Sequence, residues 1–454
     1  MTYLGVRRHK LLAILSSLFI LALHFHPFGV AQILPKATAS AARNNSLNQR
    51  LFLPPVVYSA AGPGSESLAI ADFNQDGKPD VVITSIVGDT GLLLGNGDGT
   101  FQPPLTTGTG GSSAVTAADL NGDGWPDFVV TLANLAGAVE ALLGNGDGTF
   151  QSAQSYPTGG AYPEGVVVAD VNLDHKPDLV IANEEGPVFF GGLVAILLGN
   201  GDGTFQPPVI YDSSAGDAWS IAVGDLNQDG KPDVIVANLC DLSSCSEHGK
   251  VSVLLGNGDG TFQAASTYDS GGLQTSSIAI DDVNGDGKLD VAVVNDVPRN
   301  VGVLLGNGDG TFRAPASFGS GGSPNNGPQS IEIADVNGDG RPDLLVAVCA
   351  ASEPGVCTGL LRGRVGVLLG NGDGTFQKSV MYGTGGFYGL GIAVADVNLD
   401  GKPDLLVANG CGDVNCTAGS MAVMLNHARF CGVVPCHTVP NEVSADLFKS
   451  PKRR

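Results

Sequence analysis

The nine residues Asp225-Leu226-Asn227-Gln228-Asp229-Gly230-Lys231-Pro232-Asp233 carry the most distinctive chemistry in the chain. Side-chain oxygens stand at positions 1, 3, 5 and 9, and a glycine stands at position 6. A hard divalent cation such as Ca2+ takes six to eight oxygens at about 2.3–2.6 Å. A tight loop with alternating Asp and Asn aims three of them inward, position 7 adds its carbonyl, and the last Asp closes the cage. Glycine at position 6 permits the left-handed backbone that wraps the chain around an ion. The same quartet recurs as Asp72, Asn74, Asp76, Asp80; Asp119, Asn121, Asp123, Asp127; and Asp170, Asn172, Asp174, Asp178. It returns as Asp225, Asn227, Asp229, Asp233; Asp282, Asn284, Asp286, Asp290; Asp335, Asn337, Asp339, Asp343; and Asp396, Asn398, Asp400, Asp404. The expected cofactor is Ca2+, up to one ion per loop.

The elements around the loops are strands. An EF-hand requires a bidentate Glu at position 12 and a helix behind it. Position 12 here is Ile83, Val130, Ile181, Val236, Val293, Val346 or Val407, inside β-branched runs that read as strands. The loops recur every 47 to 61 residues, and a period near 50 built from short strands indicates propeller blades. In one repeat, Ser220–Gly224 alternates as a half-buried strand, the loop follows, and Val234–Asn238 and Val251–Leu255 supply two more strands. Gly256-Asn257-Gly258-Asp259-Gly260-Thr261-Phe262 then reads as a hairpin turn of the Asn-Gly and Asp-Gly kind, leading into a fourth strand. This turn is found in six repeats and is missing from the seventh. Phe52-Leu53-Pro54-Pro55-Val56-Val57-Tyr58 matches fourth strands such as Phe205–Tyr211, so it is expected to complete the last blade and hide an open edge. The predicted fold is an all-β, seven-bladed propeller of four antiparallel strands per blade, closed by its N-terminal strand.

Residues 1–31 read as a secretion signal: Arg7, Arg8 and Lys10 precede the apolar stretch Leu11–Leu23, and small residues offer cleavage after Ala31 or Ala41. Residues 32–50 read as a flexible lead-in, 51–430 as the propeller and 431–454 as a tail. The apolar stretch is shorter than the roughly 20 residues that span a bilayer, so no transmembrane segment is expected after cleavage. The eight cysteines fall into local pairs, Cys240/Cys245, Cys349/Cys357, Cys411/Cys416 and Cys431/Cys436, and proximity favours these as disulfides in an exported protein. The formal net charge is −22, and the Asp-rich loops hold nearly half of the 45 acids. Without a Lys/Arg stripe to neutralise phosphates, nucleic acid is an unfavoured partner.

On these residues the chain resembles the secreted FG-GAP/VCBS-repeat proteins, whose fold resembles the seven-bladed propeller of integrin α-subunits. The resemblance covers roughly residues 51–430. It implies calcium in the Asp-rich loops and a non-catalytic role in adhesion or ligand binding. Two copies depart from the motif: His175 replaces the turn glycine and Leu289 the proline.

In an up-and-down blade the cation loops and the Gly-Asn-Gly-Asp-Gly turns share one end. The variable connections, with the first three cysteine pairs, share the other. Function concentrates on variable loops held by a rigid scaffold, so that other end is the expected binding surface. Tyr162, Trp219, Phe387 and Tyr388 lie in its blade-to-blade connections, where their rings either stack on a sugar or fill gaps between blades. Neither a Gly-x-Ser-x-Gly elbow nor a His-Glu-x-x-His helix is present, and Glu247-His248 reads as a solvated pair. The expectation is therefore a monomeric, extracellular binding module for a glycan or protein rather than an enzyme. The alternative is an extracellular carbohydrate-active enzyme, such as a polysaccharide lyase, built on the same scaffold.

Overall fold

The computed structural model describes residues 50–132, 134–185, 191–240, 248–321, 326–350, 362–413 and 415–428. The signal and most of the lead-in, the tail, and Cys245, Cys357, Cys431 and Cys436 lie outside the described residues, as does the side chain of Cys349. Among the described residues all regular structure is β.

Among the described residues β1 (Val56–Ser59) comes first, followed by five antiparallel four-stranded sheets. The first is β2–β5 (Leu68–Ala71, Asp80–Ile83, Asp89–Leu93, Leu105–Gly110), and the second β6–β9 (Ser112–Ala118, Asp127–Leu132, Ala138–Leu142, Gln154–Pro157). The third is β10–β13 (Ala161–Ala169, Asp178–Glu185, Leu193–Leu197, Val209–Asp212), and the fourth β14–β17 (Gly216–Gly224, Asp233–Cys240, Lys250–Leu254, Ser266–Asp269). The fifth is β18–β21 (Leu273–Asp281, Asp290–Val297, Asn300–Leu304, Ala316–Gly319). The remaining strands, β22–β27 (Asn326–Ala334, Asp343–Ala350, Arg362–Leu368, Val380–Ala395, Asp404–Cys411, Ser420–Met424), join β1 in one seven-stranded sheet. Strand β25 is shared: Val380–Gly383 pairs with β24, while Gly389–Ala395 pairs with β26. That sheet is therefore two four-stranded units, β22–β25 and β25–β26–β27–β1.

Burial follows strand position. Second strands are covered on both faces, which is why Val234-Ile235-Val236-Ala237 reads as an unbroken apolar run. Fourth strands form the rim, exposed except at their third residue, Tyr211 in β13 and Tyr268 in β17. The core lies between units. One cluster joins Val180, Val194 and Ile196 of the third to Ile221, Val234 and Leu254 of the fourth. Another joins Val81, Ile83 and Leu93 of the first to Leu406, Met421 and Val423 of the last. Each first strand packs on the next, from β2 through β6, β10, β14, β18 and β22 to β25, and β25 packs on β2.

The N-terminal segment supplies the missing outer strand: Val56 pairs with Val423 and Ser59 with Ser420. It also rebuilds the missing turn from two distant pieces of chain. Phe52 bridges Asn426 as Phe101 bridges Gly95 elsewhere, and His427 N donates to Leu51 O as Asn96 N donates to Thr100 O. Edge-on aromatic pairs join neighbouring units, Tyr211 with Phe262 and Tyr268 with Phe312. The two pairs made across the chain ends, Tyr58 with Phe101 and Phe52 with Tyr382, repeat that contact.

Candidate functional site: the Asp-rich loops and the opposite end

Each Asp-rich loop connects a first strand to a second, and its hydrogen bonds are nearly identical from copy to copy. In the fourth copy, Asp225 Oδ1 accepts from Asp229 N (3.1 Å) and Asp225 Oδ2 from Gly230 N (2.9 Å). Asn227 Oδ1 also accepts from Asp229 N (2.9 Å), so positions 1 and 3 converge on one amide. Asp229 Oδ1 accepts from Lys231 N (3.0 Å), and its Oδ2 lies 3.3 Å from Lys231 Nζ. Position 6 is left-handed throughout, with φ of 80° at Gly230, and His175 adopts the same conformation at 65°. The substitution in the third loop thus preserves the turn. Its imidazole Nδ1 stands 3.8 Å from Asp170 Oδ2.

Position 9 has a role that the motif alone does not reveal. Asp233 is fully buried; its Oδ2 accepts from Leu226 N (2.9 Å) and its Oδ1 from Gly256 N (2.8 Å). One carboxylate therefore ties the loop to the first residue of the Gly-Asn-Gly-Asp-Gly turn, and all seven units repeat the bond. In the last unit Asn426 N replaces the glycine donor, at 2.7 Å from Asp404 Oδ1. Burial pushes the carboxyls of Asp80, Asp127, Asp290 and Asp404 up to about 6, and that of Asp343 up to about 7. The two N–H bonds oppose this rise, while the acids at positions 5 and 1 add to it. Asp178 and Asp233 move in the same direction for the same reasons.

Each loop thus gathers three carboxylates that feel one another, an amide oxygen and no nitrogen donor except at His175, the donor set of a hard cation. As they stand, with the position 9 oxygens engaged by backbone N–H groups, no group of three or more His, Cys, Asp or Glu among the described residues is arranged around a metal position.

The Gly-Asn-Gly-Asp-Gly turns are docking elements as well as turns. Gly99 N donates to Val397 O, Gly148 N to Phe73 O and Gly310 N to Leu226 O, each at 3.1 Å and each into the loop of the preceding unit. The last unit lacks this turn, and Asn426 Nδ2 makes the equivalent bond to Val336 O at 2.8 Å. Position 4 of the loops is a second left-handed site. Gly122, Gly285 and Gly338 occupy it in three copies, and Gln75, Leu173, Gln228 and Leu399 in the others. The exceptions touch the next unit: Gln75 Nε2 donates to Gly124 O (3.2 Å) and Gln228 Nε2 to Gly287 O (2.8 Å).

The opposite end is held by buried asparagines near the ends of second strands. Asn238 Oδ1 accepts from Ser213 Oγ (2.8 Å) and its Nδ2 donates to Ser252 Oγ (2.9 Å). Asn295 and Asn409 repeat the arrangement with Ser270 and Asn300, and with Thr384 and Ser420. The Ala-Asn or Val-Asn that follows the apolar run in four of the seven repeats, at Asn183, Asn238, Asn295 and Asn409, is the sequence signal of this pin. Tyr162, Trp219, Phe387 and Tyr388 all lie at this end, half-buried, but within strands β10, β14 and β25 rather than in the connections where the sequence reading put them, because those strands begin earlier than the alternating pattern shows. His248 is exposed with Nδ1 3.8 Å from Asp269 Oδ2, and Glu247 lies outside the described residues. Cys411 and Cys416 form a disulfide, and Cys240 is disulfide-bonded too.

Repeated four-stranded antiparallel units with this loop define a repeat protein of the β-propeller kind. A family model described as FG-GAP-like repeat matches residues 72–130, 119–181, 174–236, 238–293, 282–346 and 356–407, and the chain belongs to that family. Each matched segment ends shortly after an Asp-rich loop, so six segments reach all seven loops. No curated protein matches the chain significantly. No helix among the described residues is long and apolar enough to cross a membrane.

Proposed function

We propose that this chain is a secreted, calcium-stabilised, seven-bladed β-propeller acting as a non-catalytic binding or adhesion module for a glycan or protein. The observation that carries this reading is the contrast between its ends. Seven loops repeat one hydrogen-bond pattern, whereas the connections opposite them differ in length and side chains from unit to unit. A constant end suits scaffold work, and a varied end suits recognition.

Ca2+ would be held by the oxygens of positions 1, 3, 5 and 9 and would neutralise the carboxylates that each loop gathers. Export rests on residues 1–31 and on the cysteines. Closure of the seven units into a ring is supported by β25 packing on β2 and by the reconstituted turn. It makes Gly391 a sensitive position, since a Cβ there would overlap Glu66 O and lie 3.1 Å from Ser67 Cα in the first unit. Gly391→Val should prevent a stable monomer. Gly383→Val, on the same strand with nothing within 4 Å of its Cβ, should be tolerated. Equal stability of the two variants would refute closure at this contact.

For the function itself, mature protein is applied to arrays of oligosaccharides and of extracellular proteins, in calcium and in chelator, and bound ligand is recovered for mass spectrometry. Saturable, calcium-dependent binding of an unchanged ligand is expected. Recovery of cleaved or unsaturated oligosaccharide would instead establish the polysaccharide-lyase alternative.

A further inference from the structure

The first strands share a backbone irregularity that the repeats fill in different ways. Eight residues before the first Asp of six of the seven loops, the chain is left-handed, at Gly64 (77°), Gly111 (72°), Tyr162 (50°), Asp217 (51°), Gln274 (59°) and Tyr388 (56°). A break in the ladder register follows, as between Pro163 and Gly165 and between Thr275 and Ser277. Glycine adopts this conformation freely, whereas a residue with a Cβ is strained in it. Units one and two show that glycine suffices for the fold at this position. The side chains of the other four units are therefore present for what side chains do.

The loops calibrate that argument. At their position 4, where glycine also suffices, the glutamines that replace it reach a carbonyl of the next unit. Asp217 fits an inward role of this kind, being buried. Gln274 does not: it is half-buried, and among the described residues its amide makes no hydrogen bond. Tyr162 and Tyr388 are half-buried phenols in the same register, and Trp219 stands two residues beyond it on β14. Because first strands pack in succession, Tyr162, Trp219 and Gln274 fall on three consecutive strands at the end remote from the cation loops, with Tyr388 on β25 in the same tier.

We propose that these left-handed positions, with Trp219 beside them, form a carbohydrate subsite at the mouth of the ring of first strands, in which Tyr162 and Tyr388 present rings and Gln274 an amide to a neutral oligosaccharide. The inference rests on the binding-module reading and names its ligand class. Flat rings cover the apolar face of a pyranose, and an amide both donates to and accepts from vicinal hydroxyls. The three rings and the amide carry no charge at neutral pH, which suits a neutral sugar.

The test exploits the backbone. Tyr162→Gly, Gln274→Gly and Tyr388→Gly are made singly in the full chain, and Tyr388→Asn provides a residue that tolerates the left-handed conformation without a ring. Each is titrated with the neutral oligosaccharide that wild type binds best on a printed array, and melted in parallel. The expected result is a loss of affinity of about threefold to tenfold per ring, with the glycine variants melting at or slightly above the wild-type temperature. Unchanged affinity, or a clear fall in melting temperature, would overturn the subsite. A wild-type protein that binds no neutral oligosaccharide also overturns it, while binding to an array protein in the same experiment would leave the broader binding reading standing.

Discussion

In six of the seven units both ends fix their strands with buried polar groups, but in different ways, while the sixth carries Val348 at the asparagine register. At the loop end, Asp233 accepts from Leu226 N and Gly256 N, and the same carboxylate makes the same two bonds in all seven units. At the opposite end the pin is a neutral amide whose partners change: Ser213 and Ser252 for Asn238, Ser270 and Asn300 for Asn295. Units one and two use Thr84 and Thr131 hydroxyls instead. A buried charge bonded to backbone leaves little room for substitution, because any replacement strands two N–H groups. An amide bonded to hydroxyls tolerates exchange of partners. The first end is fixed by its chemistry; the second is free to vary, and it carries the varied connections.

The largest expected effect separates structure from ion binding within one loop. Asp233→Ala should destabilise the protein even in chelator, since two buried N–H groups lose their acceptor at about 1–3 kcal/mol each. Asp229→Ala, at an exposed position, should cost little in chelator and remove much of the calcium response of its own loop. Equal melting temperatures for both variants in chelator would erase the distinction drawn between positions 5 and 9.

A smaller effect, of opposite sign, is expected at the other end. Asn183 accepts from Thr158 Oγ1 at 2.6 Å, but its Nδ2 is buried without a partner. The cause is local: Ala195 pairs with Ile181 at the register where Ser252 pairs with Val236. Ala195→Ser should restore the missing acceptor and stabilise by about 0.5–1.5 kcal/mol. A destabilised variant would show that the pin does not exchange partners as freely as the comparison holds.

A pH-dependent effect concerns Glu332 on β22, three residues before Asp335, where the other repeats place Ala69, Thr116, Val167, Ala222, Ala279 and Ala393. Burial pushes its carboxyl up to about 7. An acid raised in the folded state favours the protonated form, so its ionisation penalty is absent below the unfolded value near pH 4.5 and complete above about pH 7. Glu332→Gln should therefore match wild type near pH 5 and melt above it at pH 8. A gap independent of pH would contradict the assignment.

The loops, the turns and the N-terminal strand were legible because each is written in contiguous residues that repeat. Phe52–Tyr58 could be matched to Phe205–Tyr211 without knowing any contact. The second duty of position 9 was hidden because its partner, Gly256 N, lies 23 residues away. The left-handed sites at position 4 and before the first strands were hidden for another reason: Gln228, Leu399 and Tyr388 do not advertise positive φ as glycine does. The turn Gly256–Phe262 read as a local hairpin, although its counterpart glycines in other units also dock on the preceding one through bonds such as Gly310 N to Leu226 O.

Calcium binding by the Asp-rich loops is the central proposal. Calorimetric titration of chelator-treated, dialysed protein with Ca2+, paired with melting curves at each loading, measures it. Close to seven ions per chain are expected, with the His175 loop the weakest, and a melting temperature that climbs as the sites fill. Absence of binding heat together with superimposable melting curves in calcium and chelator would contradict it.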